Sequence, residues 1–332
     1  MSHRKDTDYL AISTRIHAME TRMLTRERME RMIEAKDNAD ALKVLEECGY
    51  GELSQTGTQG LEQMLAQARS AVFRDIHSAV PCGELVETFQ LKYDYHNAKV
   101  LVKADAMGSA PQHLLVSGGR YAPKNLAEGW ERDDLRFCSD AYRKALAQAK
   151  ETLAASGDPQ KADLLLDKAC YVEMAQLARK SESPFLQGYV RLSIDVANLR
   201  TAVRCARMDK DTEFLSRVLL PGGNVSERTI ALAKGDGLKD AFQAGKLAQA
   251  AALGSKLAHP GAGALTEFER LCDNALTDYL SAAKMIPFGE QTVIGYLYAK
   301  EAELTAVRTI MSGRMAGLDA DTIRSRLRAV YV

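Results

Sequence analysis

Two strings, YDYHNAKVLVKA at Tyr93–Ala104 and IDVANLRTAVRCA at Ile194–Ala206, share an Asp-x-x-Asn step at an offset of 101 residues. Residues three apart share one face of a helix. Asp94 with Asn97, and Asp195 with Asn198, therefore each present a carboxylate beside an amide. Such a pair can recognise polar groups, either by satisfying a neighbouring turn of its own chain or by contacting a partner. It does not by itself break bonds, and nothing near it supplies a reactive group. The six histidines (His3, His17, His77, His96, His113 and His259) form no pair at helical metal-ligand spacing and none adjoins a serine elbow. His96, next to Asn97, reads as an ordinary histidine. AGKL at Ala244–Leu247 lacks the upstream glycine and the hydroxyl residue of a phosphate loop. GAGALT at Gly261–Thr266 lacks the third glycine of a dinucleotide turn and reads as a loop. The expectation is no catalytic residue, no cofactor and no metal.

The elements that must carry these faces follow from periodicity. Tyr9, Ile12, Ile16, Met19 and Met23 recur at steps of three and four, the mark of an amphipathic helix. TRERMERMIEAK gives a second helix, and DNADALKVLEEC a third that stops at Gly49-Tyr50-Gly51, where a glycine can take the left-handed cap. Asp158 before Pro159, and Asp319 in GLDADTIRSRLRAVYV, are capping carboxylates at helix starts. Glycine and proline clusters at Met107–Gly129, Pro221–Gly223, Gly254–Gly263 and Ile286–Gly289 punctuate the remainder. Runs of alternating β-branched residues are missing, so the chain is expected to be all-α.

Composition narrows the function classes. At 332 residues the chain suits about two domains or a set of repeats. Forty-four basic residues balance forty-four acidic ones, so no net field draws it to nucleic acid or to anionic lipid. The six cysteines stand far apart with no C-x-x-C pair, which fits reduced, buried thiols in a cytosolic protein. The charged start MSHRKDTDY does not read as a signal peptide. The longest uncharged stretch, Ala106–Gly119, falls well short of the roughly 20 apolar residues of a membrane span. Membrane association is expected only through another protein.

Repetition is the most informative feature. Lys99 and Lys103 follow the first Asp-x-x-Asn step as Arg200 and Arg204 follow the second. In YLYAKEAELTAVRTIM, Glu303, Leu304 and Ala306 fall where Asn198, Leu199 and Thr201 fall, which puts Lys300 at the place of the two aspartates. DKACYVEMAQLA and ERLCDNALTDYL place Cys170 and Cys272 in comparable helices. Three similar helical units are expected, over residues 1–110, 111–212 and 213–332. Units set around an axis would enclose a concavity, whereas a linear stack would make a curved solenoid. The last helix carries Arg324, Arg326 and Arg328, read chiefly as cations offsetting the helix dipole.

Several of these segments carry a resemblance. YLAISTRIHAMETRML, ALKVLEECGYGEL, the two Asp-x-x-Asn helices and PFGEQTVIGYLYAKEAELTAVRTIMSGRMAGLDADTIRSRLRAVYV together resemble the C subunit of bacterial and archaeal V-type (A/V-type) ATP synthases, related to the d subunit of the eukaryotic V-ATPase. The likeness spans nearly the whole chain, and the AKEAEL…R…GLDADTIRSRLRAVYV ending is its most specific part. PFGEQ and Ala98 depart from the family's usual pattern, which bears on loop geometry more than on function. The resemblance implies three related three-helix units around a pseudo-threefold axis, shaped as a funnel. It also implies a non-catalytic coupler on the cytoplasmic face, between the membrane rotor ring and the central shaft of a complex that moves protons or sodium ions. On that reading Asp94, Asn97, Asp195, Asn198, Arg204, Lys300, Glu301, Glu303 and Arg308 are expected to include groups that line the cavity or touch the shaft. The competing expectations are a helical repeat scaffold for an unrelated protein, and an all-α enzyme with convergent, strongly perturbed titratable groups in its cavity.

Overall fold

The computed structural model describes residues 5–51, 57–233 and 236–331. Among them the chain is all-α. In order the helices are α1 (Leu10–Glu20), α2 (Arg26–Ile33), α3 (Asn38–Glu47), α4 (Gly57–Ala79), α5 (Glu84–Met107), α6 (Pro123–Glu131), α7 (Asp140–Ser156) and α8 (Pro159–Lys180). They continue as α9 (Pro184–Arg207), α10 (Thr212–Val218), α11 (Glu227–Leu232), α12 (Gly237–Ala241), α13 (Ala248–Leu257), α14 (Thr266–Leu280), α15 (Glu290–Met315) and α16 (Ala320–Arg326). Short 3-10 turns cover Asp6–Tyr9 and Ser281–Met285, and no strand is found among the described residues.

Local chemistry explains the many starts. Thr25, Asp37, Ser139, Asp158, Ser183, Asp211, Ser226 and Asp319 each accept a hydrogen bond from a first-turn N–H of the helix that follows. Each such cap is worth about 1 kcal/mol. Asp158 with Pro159 and Asp319 thus act as their positions predict. Gly49 takes φ +83° after α3, where a side chain would be strained. Gly254 differs from expectation: it sits inside α13. There a Cβ would stand 2.9 Å from Phe268 and 3.0 Å from Val203, so this glycine serves close helix packing rather than a turn. The Met107–Gly129 cluster likewise contains most of α6, begun by Pro123. Arg328 lies beyond α16, so only Arg324 and Arg326 can offset that helix's dipole.

Among the described residues, four apolar clusters hold the fold. One is central: α1, the end of α4, and the first halves of α5, α9 and α15 meet through Ile16, Phe73, Leu85, Leu186 and Val293. Each of these three long helices then runs on into a cluster of its own. The second half of α5 packs with α6, α7 and α8. That of α9 packs with α10 to α14, and that of α15 packs with α2, α3, the start of α4, and α16. The helices are 24, 24 and 26 residues long, and the lengths suit bridging two clusters. Burial at both ends also explains why no single apolar stripe dominates them. Phe89 stacks on Tyr189 with ring centres 5.3 Å apart, and Tyr189 meets Tyr298 edge-on at 6.0 Å. The three helices therefore touch in a chain of aromatic rings.

Candidate functional site

The paired Asp and Asn side chains are used inside the chain, each gripping a loop further along it: the loop before α6 for α5, and the loop between α10 and α11 for α9. Asn97 donates from Nδ2 to the Val116 carbonyl and accepts the Val116 N–H at Oδ1, both at 2.9 Å. One turn earlier, Asp94 accepts the Arg120 N–H at 2.9 Å and the Arg120 Nε at 2.6 Å. In α9, Asn198 holds both backbone groups of Leu220 at 2.8 Å. Asp195 accepts the N–H of Asn224 at 3.1 Å, its Nδ2 at 2.8 Å, and the Val225 N–H at 3.1 Å. An amide suits the Asn position because one side chain there must both donate and accept. A carboxylate suits the Asp position because every group facing it donates.

Glycine completes each clamp. A Cβ on Gly119 would lie 2.2 Å from Asp94 Oδ1, and one on Gly223 2.3 Å from Asp195 Oδ1. The preceding Gly118 and Gly222 take φ +109° and +93°, so each loop turns through a left-handed residue and then passes against the carboxylate. The recurring Gly-Gly pair was the sequence signal that could have announced these contacts.

In α15 the clamp changes chemistry. Glu303 accepts the Leu24 N–H at 2.6 Å, from the loop between α1 and α2. Its other oxygen accepts the Tyr50 hydroxyl and Lys300 Nζ, each at 2.5 Å. Glutamate cannot return a hydrogen bond to the Leu24 carbonyl, so this clamp grips one backbone group where the asparagines grip two. The neighbouring Glu301 accepts Tyr93 Oη at 2.5 Å and also pairs with Lys92, which ties α15 to α5.

Burial sorts the predicted contact residues. Asp94, Asn97, Asp195, Asn198 and Glu303 are 0, 0, 3, 1 and 4% exposed, so in this conformation none presents its polar atoms to a partner. The Lys300 and Glu301 side chains, 12 and 11% exposed, are nearly as enclosed. Arg204 and Arg308 keep 58 and 37% of their side chains open, although each pairs within the chain, with Glu269 and Glu62. Sequence reasoning missed Arg120 and Glu173. Arg120 bridges Asp94 and Glu173 inside the first clamp, and Glu173 also accepts Tyr95 Oη and Ser139 Oγ at 2.8 Å. Neither residue belongs to the Asp-x-x-Asn string, although Glu173 lies in the repeated DKACYVEMAQLA. His96 is exposed, and the six cysteines are buried and form no disulfide among the described residues.

The first clamp titrates. Burial pushes the Asp94 carboxyl up to about 6, against the pull of Arg120, and burial also raises Asp195. The unfolded-state value is about 3.9, so the folded chain holds this proton more tightly. Asp94 therefore adds to stability below about pH 4, and the contribution is lost as pH rises through about 6. Asp94→Asn does not titrate at this position, so wild-type minus variant stability should fall between about pH 4 and 6.5 in urea titrations. A flat difference would show that Asp94 keeps its unfolded-state affinity.

Between α14, α15 and the segment after α16 lies a cavity of ≈ 340 Å³. Phe89, Tyr189 and Tyr298 reach it from the aromatic chain, Lys92 and Glu301 give it charge, and Leu24 brings the third clamp to its wall. Among the described residues no group of His, Cys, Asp and Glu side chains is placed to hold a metal ion. No helix there is long and apolar enough to cross a membrane.

The chain is similar along almost its whole length to known proteins. It is 24% identical to the C subunit of the V-type sodium ATPase of Enterococcus hirae, over 98% of this chain and 99% of that one. It is 24% identical to the C subunit of the A-type ATP synthase of Haloferax volcanii over 82% of each chain. With the C subunit of the V-type ATP synthase of Thermus thermophilus it shares 27% identity over 50% of this chain and 54% of that one. The family model described as ATP synthase (C/AC39) subunit matches residues 12–326, and so the chain belongs to that family.

Proposed function

We propose that the protein is a non-catalytic socket of the central stalk, coupling a membrane rotor ring to the central shaft of a V/A-type ATPase or ATP synthase. The observation that carries this reading is the repeated clamp: three long helices share one core, and each fixes a loop by the same position on its face. A body that transmits torque must resist shear between its parts, and hydrogen-bonded loops on helices locked in a common core supply that rigidity. We read the three outer clusters as three units about a pseudo-threefold axis, giving a funnel. In this arrangement each cluster takes its long helix from one of the units expected at 1–110, 111–212 and 213–332 and other helices from the next: α5 packs with α6 to α8, α9 with α10 to α14, and α15 with α2 and α3.

The predicted contact set divides by role. Asp94, Asn97, Asp195, Asn198 and Glu303 act on partners through the loops they hold. Arg204 and Arg308 contact partners directly, while Lys300 and Glu301 shape the cavity wall. The protein is peripheral, on the cytoplasmic side, and meets the membrane only through the ring. A permanent coupling of this kind needs an interface on the order of 2,000 Å² or more.

Sedimentation of the purified chain with its organism's shaft subunits and detergent-solubilised ring, separately and together, tests the role. A ternary complex that forms only when this chain is present is expected. A folded chain that binds neither component would overturn it. Arg204→Glu with Arg308→Glu should weaken shaft binding by about tenfold or more, because charge reversal at an interface costs several kcal/mol. The melting temperature should hardly move, since both arginines sit in half-exposed ion pairs worth about 1 kcal/mol or less.

A further inference from the structure

Residues 327–331, which follow α16, run extended along the cavity wall and fasten to helices far apart in the chain. Arg328 Nε pairs with Asp273 Oδ2 at 2.7 Å, and the Ala329 N–H donates to Asn274 Oδ1 at 3.0 Å, both on α14. Tyr331 is 3% exposed and joins the central core. Its ring sits under Lys284 and its hydroxyl occupies a notch at Gly295, where a Cβ would lie only 2.3 Å away. Leu327 and Val330 pack against the cluster that contains Leu24 and Met29. The segment therefore joins the outer bundle of α2, α3, α16 and the far half of α15 to α14 and the central core.

The third clamp differs from the other two in the backbone groups it holds. The asparagine clamps of α5 and α9 grip both backbone groups of Val116 and Leu220. Glu303 takes one backbone group, the N–H of Leu24, and its other oxygen goes to the Tyr50 hydroxyl and Lys300. Leu24, Glu303 and residues 326–331 line the same cavity, so the strap lies beside the third clamp. Its polar fastenings are half-exposed, with Arg328 and Asp273 side chains each 30% open, and such pairs break readily. Only Tyr331 is a deep anchor.

We propose that residues 327–331 are a releasable latch. Seated, the latch holds the α2–α3–α16 bundle to α14 and walls the cavity. Released, it lets α14 part from that bundle and opens the cavity toward solvent. The proposal stands on the contacts of this chain alone and holds whether or not the socket reading does.

Hydrogen exchange on the full chain tests it, with wild type, Tyr331→Phe, Tyr331→Ala and the surface double variant Arg328→Glu/Ala329→Pro. Full burial of an aromatic ring corresponds to a factor of roughly ten or more in the opening equilibrium. Tyr331→Ala should therefore raise exchange about tenfold or more in α14 from Asp273 onward and in the cavity-facing part of α15. Residues 98–166, which pack in the cluster of α5 to α8 and line no part of the cavity, should keep wild-type rates, and Tyr331→Phe, which retains the ring, should behave as wild type. Arg328→Glu/Ala329→Pro removes only the exposed fastenings, so it stays folded and should give a smaller increase in the same helices. Unchanged exchange in both Tyr331→Ala and the double variant would overturn the latch. So would an equal rise throughout the molecule in either, which would make the segment an ordinary part of the core.

Discussion

Asn198→Ala is expected to lower unfolding stability by about 2–4 kcal/mol, with the urea midpoint falling accordingly. The substitution leaves the Leu220 N–H and carbonyl without partners at a site where Asn198 is 1% exposed, and water cannot replace the lost amide. Each orphaned buried group costs about 1–3 kcal/mol, and relaxation of the loop recovers part of the sum. Asn198→Asp is the sharper comparison. It keeps the acceptor for Leu220 N–H but turns a carboxylate toward the Leu220 carbonyl, so it should be no better tolerated than alanine at neutral pH and should improve as the medium is acidified. Arg204→Ala, two turns further along the same helix, should change stability by only about 0.5 kcal/mol. Equal losses at Asn198 and Arg204 would mean that the loop is held by something other than the asparagine.

Gly119→Ala and Gly223→Ala should be as damaging, by a different route. Each adds a single methyl group, which on an open surface would be neutral or mildly stabilising. Here the new Cβ would stand 2.2 or 2.3 Å from the carboxylate that fixes the same loop. Either the aspartate turns away and gives up its backbone N–H donors, or the loop lifts off the helix. Overpacking together with lost charge-assisted hydrogen bonds amounts to about 2–4 kcal/mol at each site. The two loops attach to different outer clusters, so the double variant should show the sum of the single losses within about 0.5 kcal/mol. Gly317 offers the control, because a Cβ there meets no atom within 4 Å although its φ is +71°. Gly317→Ala reports backbone strain alone, about 1 kcal/mol. A Gly119→Ala loss no larger than that of Gly317→Ala would remove the carboxylate contact from the account.

The sequence by itself determined the class of the fold, its family and the existence of repeated faces. Helix starts were legible because capping is local: Asp158 and Asp319 act on N–H groups two or three residues ahead. The equivalence of Asp94–Asn97 with Asp195–Asn198 was legible because a clamp of fixed chemistry needs the same residue types at the same helical spacing. What those residues hold was decided only by the tertiary structure. Asn97 meets Val116 and Asn198 meets Leu220 across 19 and 22 residues, and Glu303 meets Leu24 across 279, distances over which no periodicity carries information. Burial followed the same rule. A polar residue on a helix looks the same in sequence whether it faces solvent or a loop, so nothing in the sequence separated Asp94, which the loop at Gly118–Gly119 covers, from Arg204, which stays open on α9.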